Sequence, residues 1–212
     1  MADISGSGAE PIFKEQNFDY FLVLDFEATC DDKVQVDPQE IIEFPVLKVN
    51  AKTFEVESTF HQYVEPRVHK QLSPFCVELT GIIQDMVDGQ QHLEAVLGDF
   101  QKWMQDEGLL NEGVKFIFVT CGDWDLKKML PSQAKYFDIA YPDHMKSWIN
   151  IKRPFTDVVG QYPKNDMMEM LQKLNIAHTG RHHSGIDDCK NIAKILRGIA
   201  LKGYCFRCTL SL

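Results

Sequence analysis

Residues 20–26 read YFLVLDF, an apolar run rich in strand formers, interrupted by one carboxylate, Asp25, with a second, Glu27, two positions further on. A continuous apolar run of this length predicts a strand buried at the centre of a sheet. Successive strand residues alternate faces, so Asp25 and Glu27 share one face. Two carboxylates held that close repel unless a cation lies between them, which points to a hard divalent metal. An isolated D-x-E can equally be a loop cap beside a solvated acid, so the pair needs company before it means chemistry.

The rest of the chain supplies the frame. Strands are predicted over 41–49 and 54–64, joined by a turn containing Asn50 and Lys52, beside the first strand. Pro45 lacks a donor and predicts a bulge or an edge position. Ser73-Pro74 opens a short helix ending at Gly81. Leu93, Val96, Leu97, Phe100, Trp103 and Met104 have helical spacing within 92–104. A strand over 115–120 (KFIFVT) leads into a helix starting near Asp123, a further helix covers 166–174, and a long one follows Ser184 to about residue 202. Strands, helices, a strand and helices again make an α/β chain, a single sheet flanked by helices.

At 212 residues, 44% hydrophobic and 25% charged, the chain fits one domain. Residues 1–12 read as a disordered lead-in without a secretory pattern, and no apolar run approaches the roughly 20 residues of a membrane span. The six cysteines show no disulfide framework, which predicts a reduced, intracellular protein. Cys205 and Cys208 form the one C-x-x-C pair. A zinc site needs about four ligands, so the pair reads as incidental, the alternative being part of a larger zinc module.

The net charge of −9 excludes a general nucleic-acid coat but not a nuclease, whose metal site concentrates carboxylates. Arg181, Lys190, Lys194, Arg197, Lys202 and Arg207 crowd the C-terminal part against Asp187 and Asp188, either a phosphate-attracting surface or a solvated helix face.

Two further motifs bear on the chemistry. In Gly122-Asp123-Trp124-Asp125 either aspartate can cap the helix. Asp123 is assigned to the cap and Asp125 to the site, although spacing does not force the choice. In His183-Ser184-Gly185-Ile186-Asp187-Asp188, Ser184 and Asp187 match an S-x-x-D capping box, leaving Asp188 for the site. His183 precedes the cap and suits a proton acceptor, while His182 reads as a surface histidine.

In this order, Asp25, Glu27, Asp125, His183 and Asp188 resemble the five residues that define the DEDDh exonuclease superfamily. The segments LDFEATC (24–30), PQEIIEFP (38–45), LTGI (79–82), GDWD (122–125) and HSGIDD (183–188) are similar to the branch containing histone-mRNA 3′-exonuclease, over nearly all of 18–202. At His182 that branch often has proline. The resemblance implies a ribonuclease H-like fold, a mixed five-stranded sheet flanked by helices, with an exonuclease domain over 13–204 and a C-terminal tail over 205–212. It implies two Mg²⁺ or Mn²⁺ ions, Asp25 bridging, Glu27 and Asp188 completing one site and Asp125 holding the other, with His183 as general base. The implied reaction releases 5′-mononucleotides from RNA 3′ ends, single-stranded or overhanging, in the cytoplasm or nucleus. The backbone of Phe26, Ala28 and Thr29 would contact the terminal sugar. Phe75 and Trp124 are candidates to grip the base, and Leu79 and Thr80 to line the pocket. Rival readings are a DNA exonuclease on the same fold and a silent RNA-binding or interaction module; the complete set of five residues weighs against the latter.

Overall fold

The structure, a computed structural model, describes residues 11–164 and 166–212; most of the expected lead-in lies outside them. In chain order come β1 (Tyr20–Leu24), β2 (Glu27–Ala28), β3 (Ile41–Asn50), β4 (Val56–Tyr63), α1 (Pro74–Thr80), α2 (Gln84–Val87) and α3 (Leu93–Asp106). They are followed by β5 (Phe116–Thr120), a π-helical turn (Asp125–Met129), α4 (Leu130–Phe137), a 3₁₀ turn (Asp143–Lys146) and β6 (Ser147–Asn150). The chain finishes with α5 (Lys152–Val159), α6 (Asp166–Lys173), α7 (Gly185–Ala200) and β7 (Leu210–Ser211).

β4, β3 and β1 pair antiparallel, and β1, β5 and β6 pair parallel, so the five longer strands make the expected mixed sheet. The two-residue β2 continues β1 along the same edge of β3, and β7 adds to β6. β1 lies between β3 and β5, as its apolar run requires. Leu22 and Leu24 join a core with Phe44, Phe60, Val96 and Phe100 beneath α3. Phe21 and Val23 join the opposite core with Ile192, Ile195, Leu196 and Ile199 of α7. Each fully buried aliphatic side chain contributes about 1.5–3 kcal/mol, so both layers are needed to hold the sheet.

Three expectations change. Pro45 is neither at an edge nor in a bulge: it stands within β3, opposite His61 of β4. On its other side it faces the gap between Leu24 and Glu27 where β1 and β2 form no rung, so its missing N–H breaks no pair there. β6 was not anticipated, because four residues, Ser147–Asn150, show no period of their own and become a strand by pairing with β5. Residues 205–212 are no loose tail: Phe206 is fully buried with its ring 5.3 Å from Phe21, and β7 is bonded to β6.

Glu40, fully buried just before β3, accepts the backbone N–H groups of Arg67 (2.5 Å), Val68 (2.9 Å) and His69 (3.0 Å). This ties the loop after β4 to the base of β3. Replacing it strands three donors, each costing about 1–3 kcal/mol when buried. Arg67 and His69 being half-buried and Val68 exposed, Glu40→Ala is expected to lose about 2–3 kcal/mol in urea denaturation; a change within about 0.5 kcal/mol would mean that water takes over these donors.

Candidate active site

The same alternation that sends Phe21 and Val23 toward α7 puts Asp25 and Glu27 on that side of the sheet. Asp188, in the first turn of α7 and buried, meets them: oxygens of Asp25, Glu27 and Asp188 all lie within 4.8 Å of one another. One Asp188 oxygen, Oδ2, accepts the His183 backbone N–H at 2.9 Å; the other, Oδ1, is buried with no hydrogen-bond partner. Asp125, buried, opens the π-helical turn, and its Oδ1 accepts the N–H of Phe26 at 2.9 Å. That bond fastens it to the peptide between Asp25 and Glu27. Asp123 does not cap through its side chain; its Oδ1 accepts the Trp148 indole N–H at 3.0 Å.

The N-terminus of α7 is not held by a capping box. Ser184 makes no side-chain cap bond, and Asp187 accepts from the Arg181 N–H (2.9 Å) and Lys190 Nζ (2.9 Å). The cap comes from β3: buried Glu43 accepts the N–H groups of Gly185 (2.9 Å) and Ile186 (3.1 Å), and its Oε1 also contacts His61 Nε2 at 2.8 Å. A carboxylate at a helix N-terminus satisfies otherwise unpaired donors and matches the helix dipole. Gly185 allows the close seating. A Cβ there would lie 2.7 Å from the Asp25 carbonyl oxygen and 3.1 Å from Glu43 Oε2.

The cluster is electrostatically uneasy. Burial, reinforced by Asp125, Glu27, Asp188 and Glu43, holds the Asp25 carboxyl well above the usual carboxylate range. Burial and then Glu43, Asp188 and Asp125 push Glu27 up to about 9. Asp125 and Asp188 rise to about 6 through burial, held back by the N–H bonds from Phe26 and His183. Oxygen donors that crowd together, one of them unpartnered, fit a hard divalent cation. Asp25, Glu27 and Asp188 are the residues placed to hold it.

A cleft of about 280 Å³ opens over these groups, walled by Asp25, Phe26, Glu27, Ala28, Cys30, Gln39, Leu79, Cys121, Trp124, Asp125 and His183. His183 has φ 65°, a left-handed conformation rare outside glycine, and its ring stacks on exposed His182 at 3.9 Å between centroids. Trp124 is 39% exposed, as a stacking surface requires. Four sequence candidates are less available than expected. Thr80 is buried, bonded to the Cys76 carbonyl and the Ile82 N–H. Thr29 is buried, its hydroxyl accepting from Glu40 and its own N–H donating to the Glu40 carbonyl. The Phe26 N–H is committed to Asp125, and Phe75, half-buried on α1, is outside the cleft wall. Sequence reasoning missed Gln39, Cys30, Cys121 and above all Glu43. Its signal was an acidic residue within the apolar first half of a strand, which is seldom buried unless satisfied.

The exonuclease family RNase_T matches residues 22–196. The chain belongs to this exonuclease family. It is 58% identical to ERI1 exoribonuclease 3 of Homo sapiens over 197 residues, covering 93% of this chain and 58% of that protein. It thus spans little more than half the length of such relatives. The nuclease domain of 3′hExo, a DEDDh family member solved bound to rAMP, superposes with a TM-score of 0.88 at 38% identity, over 92% of this chain and 98% of that one. The 3′-exonuclease solved in specific recognition of the 3′ end of the histone mRNA stem-loop gives 0.89 at 37%, over 94% and 70%. Divalent metal use goes with this exonuclease family, in agreement with the carboxylate cluster.

Two outcomes follow from this geometry. The raised carboxyls mean that the metal-free folded chain binds more protons than the unfolded one from about pH 4, the unfolded carboxylate range, up to about pH 9. Its stability should therefore fall as pH rises through that window. A divalent cation needs its ligands ionised, so the gain in Tm on adding Mg²⁺ or Mn²⁺ should be larger at about pH 8.5 than at about pH 6; a gain independent of pH would contradict the buried cluster. Gly185→Ala should lift α7 from the sheet, costing about 1–3 kcal/mol and weakening the metal-dependent gain in Tm. Wild-type behaviour in both respects would show that the helix seat is slack.

Proposed function

We propose that the chain carries a 3′–5′ exoribonuclease centre that releases 5′-mononucleotides from RNA 3′ ends by metal-assisted hydrolysis. The observation that carries it is the meeting of Asp25, Glu27 and Asp188 oxygens within 4.8 Å, at a cleft that also holds Asp125, His183 and an exposed tryptophan. The relatives' names and the solved structures with rAMP and histone mRNA support RNA as the substrate. On the spacing of its cysteines the chain is assigned to a reducing, intracellular setting, cytoplasmic or nuclear. Among the described residues no helix is long and apolar enough to cross a membrane.

Asp25, Glu27 and Asp188 would hold one Mg²⁺ or Mn²⁺, and Asp25 with Asp125 a second. When bound, such a pair would lower the pKa of an attacking water and stabilise the departing 3′ oxygen. The chain's own groups do the rest. Trp124 and Leu79 flank the terminal base, and the Phe26–Ala28 segment forms the floor beneath its sugar. His183 accepts the proton of the attacking water. Its backbone bond to Asp188 keeps it in register with the carboxylates, and Trp124 and Leu79 exclude bulk water from that side of the cleft.

The test is a 5′-labelled single-stranded RNA incubated with Mg²⁺, with Mn²⁺ and with EDTA. A ladder shortening from the 3′ end and abolished by EDTA is expected. Asp25→Asn should remove nearly all turnover, at least about 10²-fold, and His183→Ala should slow it by about 10²–10⁴-fold. Asp25→Asn within tenfold of wild type would sink the assignment. A matched DNA oligonucleotide degraded faster than the RNA would move the reading to a DNA exonuclease.

A further inference from the structure

Beside the cleft lies a second groove of about 280 Å³, which shares Trp124 and Gln39 with it. Its far wall is one helical stripe: Trp124, Lys128, Ser132 and Tyr136, spaced four residues apart along the π-helical turn and α4. Four-residue steps drift by roughly 40° in an α-helix, at 3.6 residues per turn. The wider π turn, in which the Leu130 N–H bonds to the Asp125 carbonyl, works against that drift and keeps Trp124 in line with the rest. All four side chains are exposed, Tyr136 to 58%. Among the described residues Lys128 forms no ion pair, in a chain of net charge −9.

An aromatic, a cation, a hydroxyl and an aromatic in file are the groups that hold single-stranded nucleic acid, by stacking on bases and neutralising phosphate. The stripe is about 18 Å long, several stacked nucleotides at about 3.4 Å each. The opposite wall carries Asp37, which repels phosphate and leaves the helix side as the place for the backbone. The geometry points to this groove as the track for the nucleotides immediately upstream of the scissile one, with a base stacked on Tyr136 and a phosphate on Lys128. It rests on the exonuclease reading for the position of the 3′ end, and extends it to residues that touch no reacting atom.

The experiment compares oligoadenylates of two and ten nucleotides, cleaved in Mg²⁺ by the wild type, Tyr136→Ala, Tyr136→Phe, Lys128→Gln and the Lys128→Gln/Tyr136→Ala double variant. The dinucleotide has a single upstream nucleotide, which reaches only the Trp124 end of the groove, and only the decamer reaches Tyr136. The ratio of kcat/KM for decamer over dinucleotide should fall about tenfold or more in the double variant. Tyr136→Phe should keep the wild-type ratio, because it keeps the stacking face. Lys128→Gln should reduce the slope of log affinity against log salt by about 0.7 for the decamer. An unchanged ratio in the double variant overturns the track, as does a Tyr136→Phe loss equal to that of Tyr136→Ala. If the wild type cleaves neither oligonucleotide, the exonuclease reading has failed separately. Fluorescence anisotropy of a labelled decamer in EDTA then decides: binding weakened about tenfold in the double variant supports the track, and equal binding overturns it. Far-UV melting of each variant verifies folding.

Discussion

α7 reaches the sheet at Gly185, where a hydrogen atom is all that fits between the helix and the Asp25 carbonyl. Glu43 on β3 fixes the same end by taking two of its free N–H groups. A serine cap would have stabilised the helix without relating it to anything else. A cap from the sheet does both, because the acceptor belongs to the surface on which the helix must sit. Asp188 is thereby carried to Asp25 and Glu27, and His183, bonded to Asp188, comes with it.

That seating gathers acids which the folded chain, left to itself, would rather keep protonated. Their mutual repulsion and burial oppose folding, so stability has to be found elsewhere. The two cores on either side of β1 provide it. Under α3, Phe100 lies within 5.1–5.2 Å of Phe44 and Phe60 and stacks on Trp103 at 5.6 Å. Under α7, four aliphatic residues of the helix cover Phe21 and Val23. Strain at the site and surplus packing beside it are two sides of one arrangement, common where function needs an unfavourable local environment.

Much of this was legible in the residues. The apolar run before Asp25 announced a strand covered on both faces, and Ser73-Pro74 with Gly81 bounded α1 as expected, the Ser73 hydroxyl accepting from Cys76. The D-x-E pair, Asp125 and H-x-x-x-x-D do converge. What failed was whatever depended on a remote partner. Ser184 and Asp187 looked like a complete local cap, but the stronger acceptor came from a residue 142 positions away. Pro45 looked unfit for an interior strand until the interruption between β1 and β2 gave it a place. Thr80 and Thr29 are the exceptions: their hydroxyls serve backbone groups close in sequence, at Cys76 and Ile82 and at Glu40. No local pattern distinguishes that duty from contact with a ligand. Nor does a stripe at four-residue intervals stand out in sequence until a π turn keeps it straight.

The long separation between Glu43 and the N–H groups it caps also sets an order of events in time. β1 and the D-x-E pair are synthesised well before the helix that delivers Asp188 and His183. Closing so large a loop is entropically slow compared with local structure. A nascent or partly unfolded chain therefore presents the D-x-E pair without Asp188, as solvated carboxylates short of a ligand. A complete carboxylate cluster and a complete tertiary fold are one property here, because the acids meet only when the helix is seated.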